Sequence, residues 1–121
     1  MLSRTASVGF VTVMGREMAT SQDFVNWVCG PSLDSTFLAL ALRASREYIR
    51  ALSSGAIHKT VYVPTVKRFE VCAPSLDEQR RIAARLTAIL EAAVEVTASA
   101  QAELAAIEAL PAALLREAFA A

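Results

Sequence analysis

The sequence predicts an α+β fold: a body of short strands with one helix, then a long coiled-coil-like helix kinked near Pro111. Three observations carry this. Before residue 75, β-branched and aromatic runs alternate with Gly, Pro and Ser breaks. Between residues 33 and 52 there is one amphipathic segment at helical spacing. From Ile82 onward, apolar residues recur in heptads.

Residues 6–14 read as a strand, because Val8-Gly9-Phe10-Val11-Thr12-Val13 is rich in types that suit a pleated, half-buried surface. Residues 16–23 are polar and read as loop, and residues 24–29, which carry Trp27, read as a second short strand. Gly30-Pro31-Ser32 breaks it. A helix is expected over 33–52, capped by Asp34 or Ser32, whose side chains can accept from the free amides of the first turn. Phe37, Ala41, Ala44 and Tyr48 repeat at helical spacing and are expected to form its buried face. Arg43, Arg46 and Arg50 fall on another side, as a solvated face or a phosphate track, with Arg43 and Glu47 in pairing range. Ser53-Ser54-Gly55 ends the helix, Gly55 suiting a left-handed position. A short β segment, Val61-Tyr62-Val63, precedes a helical turn begun by Pro64, and residues 69–72 alternate as a half-buried strand does.

The last helix has the clearest start. Ser75 and Glu78 have the spacing of a capping box, and Asp77 and Glu78 oppose the positive end of the helix dipole. No breaker follows until Leu110, giving 35 residues, or roughly 52 Å of helix. Pro111 is expected to kink or interrupt it before the pattern resumes over 112–119. The seam runs Ile82, Leu86, Ile89, Ala93, Val96, Ala100 in steps of four and three. It then continues through Leu104, Ile107 and Leu114 after a stutter. A domain of about 100 residues has a radius of gyration near 13 Å. A helix of this length is therefore expected to outrun it and to need a partner helix. The expected division is residues 1–74 as body and 75–121 as helix.

The formal charge is zero over 121 residues, but it is unevenly spread. Residues 1–75 hold eight Lys/Arg and five Asp/Glu, whereas residues 76–121 hold four and seven. A mildly basic front and an acidic back suit phosphate contact at one end and protein contact at the other. Cys29 and Cys72 are distant in sequence and form no metal motif; they read as thiols in a reducing compartment. No 18-residue uncharged apolar stretch exists, so a soluble cytoplasmic protein is expected, with no membrane partner. His58 is the sole histidine. A nucleophile pair with Cys29 or Ser54 would lack an orienting third group, no metal site is expected, and no Gly-rich phosphate loop calls for a cofactor.

At the helix start the residues Pro74-Ser75-Leu76-Asp77-Glu78-Gln79-Arg80-Arg81-Ile82 follow a predicted strand. This resembles the specificity subunits of Type I restriction-modification systems, whose target-recognition domain closes with a strand and a Pro-x-Leu-x-Glu-Gln-x-x-Ile helix start. The ending Leu114-Leu115-Arg116-Glu117-Ala118-Phe119 is similar to the Leu-Leu-x-x-x-Phe ending of the family's spacer helix. Ala19-Thr20-Ser21-Gln22-Asp23-Phe24 looks like its polar Gln turn, with Asp23 where Gly is expected.

The resemblance implies part of one recognition domain followed by one spacer helix, with no catalytic centre. Its partners would be double-stranded DNA, methyltransferase and restriction subunits, and a second spacer helix from another copy or from the rest of the subunit. Thr20, Gln22, Lys59, Thr60, Lys67 and Arg68 are the DNA-contact candidates. Gln can bond adenine bidentately, and Lys or Arg can bind phosphate or a guanine edge. The competing reading of each is a polar turn or a solvated charge. Trp27 reads as core or as a stacking platform. Arg80, Arg81 and Arg85 read as intrahelical pairs or as contacts to a methyltransferase. The alternative for the whole chain is a structural dimerisation helix with a vestigial recognition part that binds no DNA.

Overall fold

The computed structural model describes residues 1–55 and 59–120. The elements follow in the order β1 (Leu2–Ser3), β2 (Phe24–Val25), α1 (Ser35–Ala44), α2 (Arg46–Ala51), α3 (Val63–Val66) and α4 (Leu76–Ala118). The α+β class holds. The chain divides into two units, Met1–Ala84 and Arg85–Ala121.

The first unit is organised around its opening residues. β1 pairs antiparallel with β2, Leu2 opposite Val25 and Ser3 opposite Phe24. On the other side Leu2 bridges Val11, the Ser3 amide donates to the Phe10 carbonyl at 2.8 Å, and the Thr12 amide donates to the Met1 carbonyl at 3.0 Å. The expected continuous strand over residues 6–14 is therefore replaced by a return. Ala6 and Gly9 take positive φ, 58° and 87°, and reverse the chain so that residues 10–12 lie back along residues 1–3. The β-branched run encodes the pairing segment, but the turn within it depends on two left-handed residues. Similarly, the strand expected over 24–29 is reduced to Phe24–Val25.

The expected helix over 33–52 forms as α1 and α2, separated at Ser45, whose backbone (φ −86°, ψ 9°) leaves the helical region. Asp34 is the cap, its Oδ1 accepting from the Phe37 amide at 2.8 Å. The buried face differs from the expected one. Phe37 is buried, but Leu38, Leu42 and Ile49 supply most of the rest, while Ala44 and Tyr48 are exposed. Leu and Ile bury far more apolar area than Ala, so the helices turn their larger side chains inward. The expected Arg43–Glu47 pair gives way to Arg50–Glu47 at 3.5 Å.

Val61 is fully buried and its amide donates to the Arg4 carbonyl at 2.9 Å, although residues 61–63 form no strand. α3 follows with Pro64 in its first turn, where a missing amide costs nothing. The strand expected over 69–72 does not form: Phe69 is half-buried, while Glu70, Val71 and Cys72 are exposed and unpaired to any described strand. The apolar alternation of Phe69 and Val71 is present, but only Phe69 packs on the core, and no described strand pairs with the segment. The core joins Leu2, Val8, Val11, Leu38, Leu42, Ile49, Val61 and Val66, with Trp27, Leu33 and Phe69 packed at its margin.

α4 has 43 residues and runs on past Leu110 through Pro111 without ending there. Pro111 has no amide to donate to the Ile107 carbonyl, so that acceptor lacks its usual helical partner. No described helix is long and apolar enough to cross a membrane.

Candidate nucleic-acid interface

Within the first unit, the backbone around Arg4 and Thr5 gathers four of the six DNA-contact candidates. The Arg4 amide donates to the Asp23 carbonyl at 2.9 Å, and its Nε donates to the Gln22 carbonyl at 2.8 Å. This ties the loop carrying Thr20 and Gln22 to the end of β1. Thr20 is half-buried, and its Oγ1 accepts from the Asn26 side-chain amide at 2.7 Å. The Gln22 side chain is exposed. On the other flank, Thr60 bridges Thr5 and exchanges two backbone bonds with Ser54, both 3.0 Å. The Thr60 and Thr5 hydroxyls are 3.5 Å apart, and exposed Lys59 precedes them. The loop of residues 20–23 and the turn of residues 59–60 thus share one backbone support.

Lys67 and Arg68 stand apart from this group. They follow α3, bonded back to Val63 and Thr65, and both are exposed. Arg68 instead borders a hollow of about 330 Å³ with Tyr48, Ile49 and Phe69. Sequence reading misses Arg4 altogether. A single arginine near the beginning of the chain has no periodic signal, and its role emerges only when residues 4 and 22 are brought together.

A second basic group lies where residues 9–11 meet α1 and α2. Arg43 donates from Nε and Nη2 to the Val11 carbonyl at 3.3 and 3.2 Å. The Arg46 guanidinium lies 4.1 Å from the Phe10 ring centroid, a cation–π distance. A Cβ built on Gly9 would stand 2.8 Å from the Arg46 Cγ and at an ordinary contact distance, 3.5 Å, from the Arg50 Cγ, so the bare glycine makes room for the Arg46 stem.

The junction into α4 rests on Gln79, which is fully buried. Its Oε1 accepts from the Asp34 amide at 2.9 Å, and its Nε2 donates to the carbonyls of Ser32 and Pro74 at 3.1 and 2.8 Å. Every main hydrogen-bonding demand of a buried amide is met. The motif Pro74-Ser75-Leu76-Asp77-Glu78-Gln79 reads in sequence as a cap, but its Gln is also a clamp on the N-terminal end of α1. A sequence signal exists for it: Leu76, Gln79 and Ala83 share one helical face, and Ala83 is buried as well.

Around Gln79, the Glu78 amide donates to the Ser75 Oγ at 3.4 Å. The Glu78 carboxylate does not complete a reciprocal box among the described bonds. It accepts from the Arg81 Nε and Nη2 at 2.9 and 2.8 Å. That hydrogen bonding holds the Glu78 carboxyl below its ordinary range. Arg80 lies 3.9 Å from Asp77.

The second unit carries the seam. Ile82, in the first unit, is half-buried, whereas Leu86, Ile89, Val96, Leu104, Ile107 and Leu114 are exposed, as is Ala93. Among the described residues from Ala88 to Ala120 every side chain is exposed.

No group of three His, Cys, Asp or Glu side chains that could hold a metal occurs among the described residues. Cys29 is half-buried and Cys72 exposed, both free. His58, and with it the pairs considered with Cys29 and Ser54, lies outside the described residues. Trp27 is half-buried against the core.

The family model for the Type I restriction modification DNA specificity domain matches residues 1–106. No curated protein and no solved structure matches the chain. The match takes in the Arg4–Thr5 support, both basic groups, the Gln79 clamp and most of α4, and stops short of residues 114–119. With most of its length accounted for in this way, the chain belongs to the Type I restriction modification DNA specificity domain family.

Proposed function

We propose that this chain recognises double-stranded DNA and scaffolds a Type I restriction-modification complex in the cytoplasm, with no catalytic centre of its own. In this reading residues 1–74 are part of a recognition domain and residues 75–121 are a spacer helix, bent at Pro111. Thr20, Gln22, Lys59 and Thr60 approach DNA from the two flanks of Arg4–Thr5, and Lys67 and Arg68 contribute from the end of α3. Methyltransferase subunits dock on the assembly and the restriction subunit joins them. A second spacer helix, from another copy or from a longer specificity subunit, covers the seam.

The family match over residues 1–106 is the observation that carries this reading. Exposed Ile89, Leu104, Ile107 and Leu114 on one helix support the scaffold role, because an apolar stripe of this kind gains by burial against another helix.

The test is selection from a randomised duplex library by the full chain bound to its cognate methyltransferase subunit. Enrichment of one defined half of a split target is expected. A pool that stays unenriched, with the protein complex intact, would leave the dimerisation helix as the function and remove DNA recognition.

A further inference from the structure

We propose that Arg43, Arg46 and Arg50 form a contact surface for the phosphate backbone of duplex DNA, held in place by residues 9–11. This rests on the DNA reading above and adds to it a second group, distinct from the candidates around Arg4–Thr5.

The three arginines come from two helices that break at Ser45, yet all converge on one short segment. Arg43 is anchored to the Val11 carbonyl through one edge of its guanidinium, Nε and Nη2. Its Nη1 has no partner among the described residues. Arg46 is held differently, by stacking at 4.1 Å on Phe10. Its Nε is buried without an acceptor among the described residues, and no described carboxylate pairs with it. Among the described residues Arg50 is the member paired with a carboxylate, Glu47 at 3.5 Å, and both side chains are largely in solvent. An exposed pair of this kind is weakly held and readily exchanged.

Arg43 and Arg50 are exposed and Arg46 is half-buried, with Glu47 the carboxylate paired to Arg50, so three positive charges meet one short segment and two of them are pre-positioned by stacking and by a carbonyl anchor. Guanidinium presents a planar fork that matches phosphate oxygens, and fixing its stem beforehand reduces the entropy lost on binding. Gly9 belongs to the same device. At φ 87°, with a Cβ position 2.8 Å from the Arg46 Cγ, a side chain there would strain the backbone and force a shift against the Arg46 stem. Phosphate contacts set the register of a protein on the duplex and carry no sequence information directly. The assigned role is therefore positioning, while base choice falls to residues elsewhere.

The experiment measures affinity of the full chain for a matched and a mismatched duplex across a salt series, by fluorescence anisotropy. It compares the wild type with Arg46→Gln, Arg46→Lys and the triple Arg43→Gln/Arg46→Gln/Arg50→Gln. Thermal melting of each variant checks that the fold is kept, and Arg50→Gln, at a largely exposed position, serves if the triple variant melts early. The slope of log affinity against log salt is expected to flatten by about 0.9 for each phosphate that is no longer neutralised. The weakening should be equal on matched and mismatched duplexes. Arg46→Lys should keep most of the salt slope while weakening affinity, since charge remains but the fork does not. Wild-type slopes in the Gln variants would overturn the assignment while leaving DNA recognition standing. Unchanged DNA binding with loss of methyltransferase binding would overturn it in favour of a protein partner. Absence of duplex binding by the wild type itself, alone and with the methyltransferase, would remove the DNA reading and this surface together.

Discussion

Two stretches of this chain are both rich in apolar residues and have opposite fates. In residues 1–84, Leu2, Leu38, Leu42, Ile49, Val61 and Val66 are buried in a shared core. In residues 85–121, Leu86, Ile89, Leu104, Ile107 and Leu114 are each at least 40% exposed. The first stretch folds back on itself through pairings far apart in sequence: Leu2 with Val11 and Val25, Thr5 with Thr60, Asp34 with Gln79. The second is helical almost throughout, its backbone bonds are local, and its apolar seam is exposed. Hydrogen bonding can complete a lone helix, but apolar burial cannot be completed that way. In the proposed function the first stretch is stabilised by its own contacts, and the second by a further spacer helix from another copy or from the rest of the subunit.

The comparison breaks most readily at Ile89. Ile89→Glu would place an unpaired charge in a helix–helix seam, a cost of about 3–5 kcal/mol, or a loss of association of roughly 100-fold or more. Light scattering should show disassembly, while the melting of the first unit stays unchanged. Leu42→Ala should do the reverse. It removes a buried core side chain (4% exposed) and should cost about 2–5 kcal/mol of stability, read by denaturant melting, without acting on the seam.

Gln79→Ala sharpens the boundary between the two stretches. It orphans the Asp34 amide and two carbonyls, and should destabilise the first unit by about 2–3 kcal/mol. Hydrogen exchange should show faster opening at the start of α1, the result that distinguishes a clamp from a simple cap. Asp34→Ala removes one cap bond and should cost about 1 kcal/mol.

The smallest effect is one of pH. The hydrogen bond from Arg81 lowers the Glu78 carboxyl below its ordinary 4.5, so the folded state binds that proton less readily than the unfolded chain. Its contribution to stability is complete above pH 4.5 and disappears as pH falls through the lowered value. Arg81, the partner in this bond, is largely in solvent, so the change should be slight, and Glu78→Gln should abolish that part of the acid dependence.

What is legible in the sequence and what is hidden divide along the same line. The start of α4, the Asp34 cap and the Pro64 turn are local signals, set by neighbouring residues whose chemistry acts over three or four positions. The heptad seam is local too, since it is a periodicity of one helix. Long-range pairing decides the rest. Residues 6–14 look like one strand until Ala6 and Gly9 reverse, and nothing in that run alone says where it folds back. The choice of Leu38, Leu42 and Ile49 over Ala41, Ala44 and Tyr48 as the inner face depends on what α1 and α2 meet. The candidate interface follows the same rule. Thr20, Gln22, Lys59 and Thr60 stand out by residue type and turn position, whereas Arg4 and the stacking of Arg46 on Phe10 exist only through contacts between distant segments.

The most direct test of the central claim is the solution mass of the full chain by light scattering, alone and with its cognate methyltransferase subunit. The account predicts a dimer alone or a stable complex with that subunit, and loss of either in Ile89→Glu. A well-folded monomer that ignores the methyltransferase would contradict it, because the seam of α4 would then need no partner.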